Sequence, residues 1–335
     1  MLESSRKKVC NRAASFQQAG FPTDSRCSIM TDMRNFATTF FASAFLAPAF
    51  MATGLLGLSP FARAQTPVTA ADALLKIQRY YAPAPPAGTV DTIKAGDASV
   101  VVTGIATTFL DTMDVLREAA RRNENLVITH EPTFYNHLDD TAFFKDDPVY
   151  REKLEFIERH HMVVFRLHDE IHMARPDPIG MALVGALGFT RYLDNPKDPG
   201  LVTIPPVPLR VLVGELQSRL QTRTMRIVGN PNLSVTHIAL RPGASGLQRQ
   251  VSALRQSNVD VLIAGEASEW ETVEYARDAA AQGRHMALIL LGHQPSEEPG
   301  MEQAAKDIHL LFPTIKVDHI PANQSMWNPD HPPAE

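Results

Sequence analysis

Between residues 100 and 320, short apolar runs alternate with stretches of helical period, and no other feature of the sequence constrains the fold as tightly. The runs are 100–105, 126–129, 163–167, 235–240, 261–264, 287–291 and 315–320. Between them the apolar spacing predicts helices over 111–122, 148–159, 208–220, 247–256, 269–282 and 301–312, after an opening helix around 70–81. A run too apolar to alternate is a strand covered on both faces, and helices between such strands give parallel pairing. The expected fold class is α/β, with two lobes of mixed, largely parallel sheets and flanking helices. The Pro- and Gly-containing stretch 195–208 is the best candidate for a connection, which gives a first lobe over 65–200 and a second over 201–335.

The first 64 residues differ in kind. Residues 36–58 carry no charge, Arg34 stands just before them, and Ala62-Arg63-Ala64 has the small-x-small form that signal peptidase accepts. A signal peptide over 33–64 is expected, with Gln65 as mature N-terminus and a periplasmic or secreted location. The competing reading is an uncleaved anchor, because the run is long enough to span a bilayer. Residues 1–32 show no periodicity and read as a non-native or unstructured leader, with Met33 as the alternative start. Both cysteines, Cys10 and Cys27, lie in this segment. Their position excludes disulfides, zinc fingers, thiol nucleophiles and iron–sulfur clusters from everything after it. From Gln65 onward 25 basic and 34 acidic residues remain, which argues against a nucleic-acid partner or an anionic membrane surface.

Four of the apolar runs end in residues that ligate metals. The run 126–129 leads into His130-Glu131, 163–167 into His168-Asp169-Glu170-Ile171-His172, 261–264 into Gly265-Glu266, and 287–291 into Gly292-His293-Gln294-Pro295-Ser296-Glu297. Open α/β sheets place their ligands at the carboxyl ends of strands. His168 with His172, and His293 with Glu297, are spaced to share one face of a helix. Each pair alone is weak, since caps and satisfied core histidines give the same spacing. Their coincidence at strand ends shifts the reading toward a metal centre.

In Ile128-Thr129-His130-Glu131-Pro132-Thr133-Phe134-Tyr135, in the run from Val261 to Glu266, and in Leu291-Gly292-His293 through Ser296-Glu297 with Gly300-Met301, the sequence resembles the Nif-three-like dinuclear metal-centre proteins, some of which are described as type 2 GTP cyclohydrolase I. The resemblance covers about residues 91–321. It implies two divalent metal ions, held by a His-His pair, an Asp closing a His-x-x-Leu-Asp pattern, and a His and Glu four apart. His130, His293 and Glu297 match that pattern. Glu131 stands where the second His would be, and His172 where the Asp would be. The exchange is reciprocal and keeps three imidazoles and two carboxylates. His168 is a further possible ligand. A closed ring-shaped homo-oligomer is also implied, with the metal site between the lobes.

His168, Asp169 and Glu266 are the candidates to orient ligands from behind. Glu269 reads as a first-turn carboxylate favoured by the helix dipole. His160 and His161 read as surface residues at a helix end, and His137, His237, His285, His309 and His319 form no constellation. Arg241-Pro242-Gly243-Ala244-Ser245-Gly246 could approach an anion through its N–H groups, but a plain strand-to-helix turn is preferred. The sequence has no Gly-x-Gly-x-x-Gly, P-loop or Gly-x-Ser-x-Gly motif. The leading functional expectation is a hydrolase acting on a small-molecule substrate, using zinc, iron or manganese to activate a water, with Glu297 as the catalytic residue. A nucleoside triphosphate substrate fits poorly with export. The alternative is a non-catalytic metal-binding or interaction protein, whose site would be closed rather than open.

Overall fold

The computed structural model describes residues 67–329, apart from Arg223, Ser257 and Ser325. The expected leader and signal segment lie outside the described residues. Among the described residues, no helix is long and apolar enough to cross a membrane.

The chain begins with α1 (Ala70–Tyr81), opened by a capping box in which Thr69 and Asp72 satisfy each other's backbone. There follow β1 (Ile93–Ala95), β2 (Ile105–Thr108), α2 (Met113–Arg121), β3 (Leu126–Thr129), α3 (Pro148–Arg159), β4 (Val163–Arg166), the short α4 (Asp169–Met173) and α5 (Pro178–Ala186). The second half runs β5 (Leu193–Asn195), β6 (Asp198–Pro208), α6 (Leu209–Leu220), β7 (Arg226–Val228), β8 (Ser234–Arg241), α7 (Leu247–Leu254), β9 (Val261–Ala264), α8 (Glu274–Ala281), β10 (Ala287–Leu290), α9 (His293–Leu311) and β11 (Val317–His319).

Two mixed sheets with flanking helices result. The first has five strands in the order β1-β4-β3-β2-β11, parallel except for β1. The second has six in the order β5-β6-β8-β9-β10-β7, where only β8, β9 and β10 run parallel. The strands β2, β3, β4, β9 and β10 are buried at every position, as strands covered on both faces must be. Alternate residues divide between the two covers. Ile128 and Phe165 pack with Ile77 of α1 and Met301 and Ile308 of α9, while Val127 and Val164 pack with Leu116 of α2 and Ile157 of α3.

Three features differ from expectation. The stretch 195–208, read as a connection, is mostly the long strand β6, paired with both β5 and β8. Its prolines hid it, because Pro cannot donate to a ladder. They are accommodated by a register shift between Thr203 and Val207. The strand expected over 100–105 is β2, which begins at Ile105, and Val101 makes only an isolated bridge to Thr69. The last strand, β11, returns to the first sheet beside β2, with Val317 opposite Ile105. The first sheet is therefore assembled from both ends of the described chain.

Candidate metal centre

The loop after β3 is fixed by the sheet itself. His130 N donates to Thr108 O and Glu131 N to Phe109 O, which extends the pairing with the β2 strand past its end. Both side chains then leave the sheet at its carboxyl edge. The loop after β4 turns at once into α4, because Asp91 accepts from the backbone N–H groups of His168, Asp169 and Glu170 at 2.9, 3.0 and 2.8 Å. One turn of helix separates His168 from His172. The third contribution is the start of α9, where His293 and Glu297 lie four residues apart with Nε2 to Oε2 at 3.0 Å. Expected to begin at Met301, this helix starts eight residues earlier, with Pro295 in its first turn, where no N–H is needed, and Pro299 within it.

These elements bring all six sequence-derived candidates into one cluster. The rings of His130, His168 and His172 lie 4.8 to 5.2 Å apart, centroid to centroid. Ligating atoms of His130, His168 and His172 converge on one position, and those of His130, Glu131 and Glu297 on another. Glu297 Oε2 is 3.4 Å from His130 Nε2, and Glu131 Oε1 is 3.3 Å from His293 Nε2.

Each imidazole has its Nδ1 turned toward an acceptor. His130 Nδ1 faces Leu167 O at 3.0 Å, His168 Nδ1 faces Asp169 at 2.9 Å, His172 Nδ1 faces Asp177 at 3.0 Å, and His293 Nδ1 lies 3.5 Å from Glu266. Such partners favour a proton on Nδ1 and turn Nε2 toward the cluster, the orientation metal-bound imidazoles adopt. His130 stands out, because its ring is fully buried and its Nε2 has no hydrogen-bond partner. A buried ring nitrogen left unpaired beside carboxylates fits a cation. Beside these groups His293 Nε2 lies 3.3 Å from Glu131 Oε1 and 3.0 Å from Glu297 Oε2.

The electrostatics agree. Burial opposes charge on His293, yet its bonds to Glu131, Glu266 and Glu297 push its pKa up to about 12. Burial likewise opposes charge on His130, and the Glu297 carboxylate outweighs it. Burial would raise Glu297, but His130 and His293 hold it well below the usual carboxylate range. His168 goes the other way, lowered to about 4 by burial and by the neighbouring His130. Buried carboxylates and imidazoles here hold one another's charged forms in place. Without thiolates, the centre's imidazole and carboxylate donors suit borderline and hard divalent ions.

A profile of the Duf34/NIF3 (NGG1p interacting factor 3) family matches residues 74–326. This chain belongs to the Duf34/NIF3 family. A relative from Clostridium acetobutylicum, named as a GTP cyclohydrolase 1 type 2 homolog, is 24% identical over 226 residues, covering 64% of this chain and 80% of that protein. Among solved structures, Staphylococcus aureus protein SA1388 superposes with a TM-score of 0.62 at 18% identity, covering 78% of this chain and 99% of that one. A Bacillus cereus protein related to NIF3 gives 0.61 at 13% identity, covering 79% and 99%. At those identities the structures speak for a shared NIF3 fold.

Sequence reasoning missed several residues of this NIF3 centre. Arg166, the last residue of β4, is fully buried, donates to His130 O at 3.1 Å and His137 O at 2.5 Å, and lies 3.3 Å from Glu131 Oε2. An Arg closing an apolar run was the available signal. Asp177 behind His172 and Asp91 beneath α4 carried no sequence signal beyond their type. The 241–246 segment is indeed a strand-to-helix turn, but Gly243 packs directly on Glu297, and its N–H donates to Ser296 Oγ at 2.9 Å. Glu269 lies elsewhere, in an exposed pair with Arg226.

Proposed function

We propose that this NIF3-family protein is an exported hydrolase that uses two divalent ions, zinc, iron or manganese, to cleave a small-molecule substrate. The observation that carries the reading is the convergence of four imidazoles, each backed at Nδ1, around two carboxylates, with the buried His130 Nε2 unpaired. His130, His168 and His172 would hold one ion, and Glu131, His293 and Glu297 the other, with Glu297 close enough to both to serve between them. When bound, such ions lower the pKa of a coordinated water toward neutrality and polarise the group under attack.

The chain's own residues supply the rest. Asp169 and Asp177 fix the ring orientations of His168 and His172. Arg166 fixes Glu131 and the loop that follows it. Phe109, whose ring meets His293 edge to face at 5.2 Å, excludes water from one side. A cavity of about 510 Å³ opens beside Glu131 and His293, which favours an open catalytic centre over a closed structural one. Export rests on Arg34, the uncharged stretch 36–58 and Ala62-Arg63-Ala64.

The test is elemental analysis of protein from Gln65 onward after reconstitution, paired with release assays on phosphoester, amide and lactone substrates. About two ions per chain and metal-dependent turnover of one substrate class are expected. Well under one ion per chain would overturn the reading.

A further inference from the structure

The cavity beside the metal centre has its own chemistry. Its wall carries Phe109, Tyr135, Pro132, Pro295 and Met326. Among the described lining residues, Glu131 is the only carboxylate and none is Lys or Arg. Two rings are held at this wall by independent means. Phe109 is buried, with its ring on His293. Tyr135 is half exposed and sits at a φ of 67°, a left-handed conformation costly for a bulky side chain and kept only where the surroundings enforce it. Phe144 meets the Tyr135 ring at 5.4 Å, and Lys153 Nζ lies 5.7 Å from it.

The segment that holds Met326 closes the cavity from the C-terminal side, anchored where Ala322 N donates to Glu298 Oε2 at 3.1 Å.

We propose that this cavity takes an uncharged, flat aromatic or heteroaromatic ring system, and that Phe109, Tyr135 and Met326 select it. The inference rests on the hydrolase reading, for which it names the substrate class. Aromatic walls reward a ring face, and a wall with a carboxylate and no Lys or Arg does not reward a polyphosphate. A cavity of about 510 Å³ holds a bicyclic ring with room for the group to be cleaved.

The test is calorimetric titration of the full mature chain, metal-loaded and metal-free, with carbostyril (a neutral bicyclic lactam), its N-methyl derivative, cyclohexanecarboxamide and inorganic tripolyphosphate. Carbostyril and its N-methyl derivative should bind both forms, and each more tightly than the other two probes bind the metal-free form. Tyr135→Gly, which relieves the backbone at that position, and Met326→Asp, at an exposed site, should each weaken carbostyril binding by about tenfold while leaving metal content unchanged. No carbostyril binding, affinity unchanged in both variants, or tighter tripolyphosphate binding to the metal-free form overturns the proposal. Metal content of the same samples keeps the two readings apart: a chain that binds carbostyril but holds no metal sinks the hydrolase reading and leaves this one standing.

Discussion

Arg166 is the residue on which the geometry of the centre most depends. Its buried guanidinium bonds two main-chain carbonyls in the loop that carries His130 and Glu131 and lies against the Glu131 carboxylate. A fork of this shape cannot be replaced by a point charge. Arg166→Lys is expected to cost on the order of 3 kcal/mol in chemical denaturation and to weaken metal binding, since buried partners would be left unpaired. Glu131→Ala and His172→Ala should each release or weaken one ion, whereas Glu269→Ala, in an exposed pair with Arg226, should leave metal content unchanged. Equal metal content in all three would remove Glu131 and His172 from the ligand set. Glu124 offers a test of pH linkage away from the centre. Burial raises its pKa from 4.5 to about 7, although Lys316 lies 2.6 Å away. The unfolded chain ionises first, so over that window the native state binds more protons and stability falls as pH rises. Denaturation midpoints between pH 4.5 and 7 should fall less steeply in Glu124→Gln. At this scale the ligand residues were legible because their types announce their chemistry, while Arg166, Asp91 and Asp177 were not, because a buried charge is recognised only from what surrounds it.

Elements with uniform burial were the most legible. The strands β3 and β9 coincide with their apolar runs, and α3 with its period and its Asp147 cap. Among those that escaped, β6 and the first two turns of α9 are rich in proline, which argues locally against the structure that tertiary pairing imposes, while β1, β5 and β7 are only three residues long. The turn between β8 and α7 shows the same limit. Its sequence reads as a turn, but only the fold reveals that Gly243, at a φ of 63°, lies against the Glu297 carboxylate and that Gly265 packs on Gly243 from the adjoining strand end. A Cβ on Gly243 would displace Glu297 and strain the backbone at once. Gly243→Ala should therefore weaken metal binding by tenfold or more in competition with a chromogenic chelator. Gly246→Ala, in the same turn with open space around it, should not.

For the molecule as a whole, the centre joins parts of the chain remote in sequence. His130 and Glu131 follow β3 and His168 and His172 follow β4 in the first sheet, while His293 and Glu297 open a helix that leaves the second sheet and packs its body on the first. A ligand bound only by the native state adds to the stability of everything that must unfold to release it. Stripping the metal with a chelator should lower the thermal midpoint by several degrees, as a shift of one cooperative transition; an unchanged midpoint after metal loss would show that the centre does not tie these elements together. The return of β11 to the first sheet has another consequence, for the order of events during synthesis. Until residues 317–319 have emerged, β2 has no neighbour on one side, and it is an edge whose every residue is apolar or buried in the finished protein. Unpaired edges of that kind recruit other chains. A nascent copy must shield Ile105–Thr108 across a wait of roughly 200 residues of further synthesis, at about 5–20 residues per second, and the hazard lasts until β11 docks.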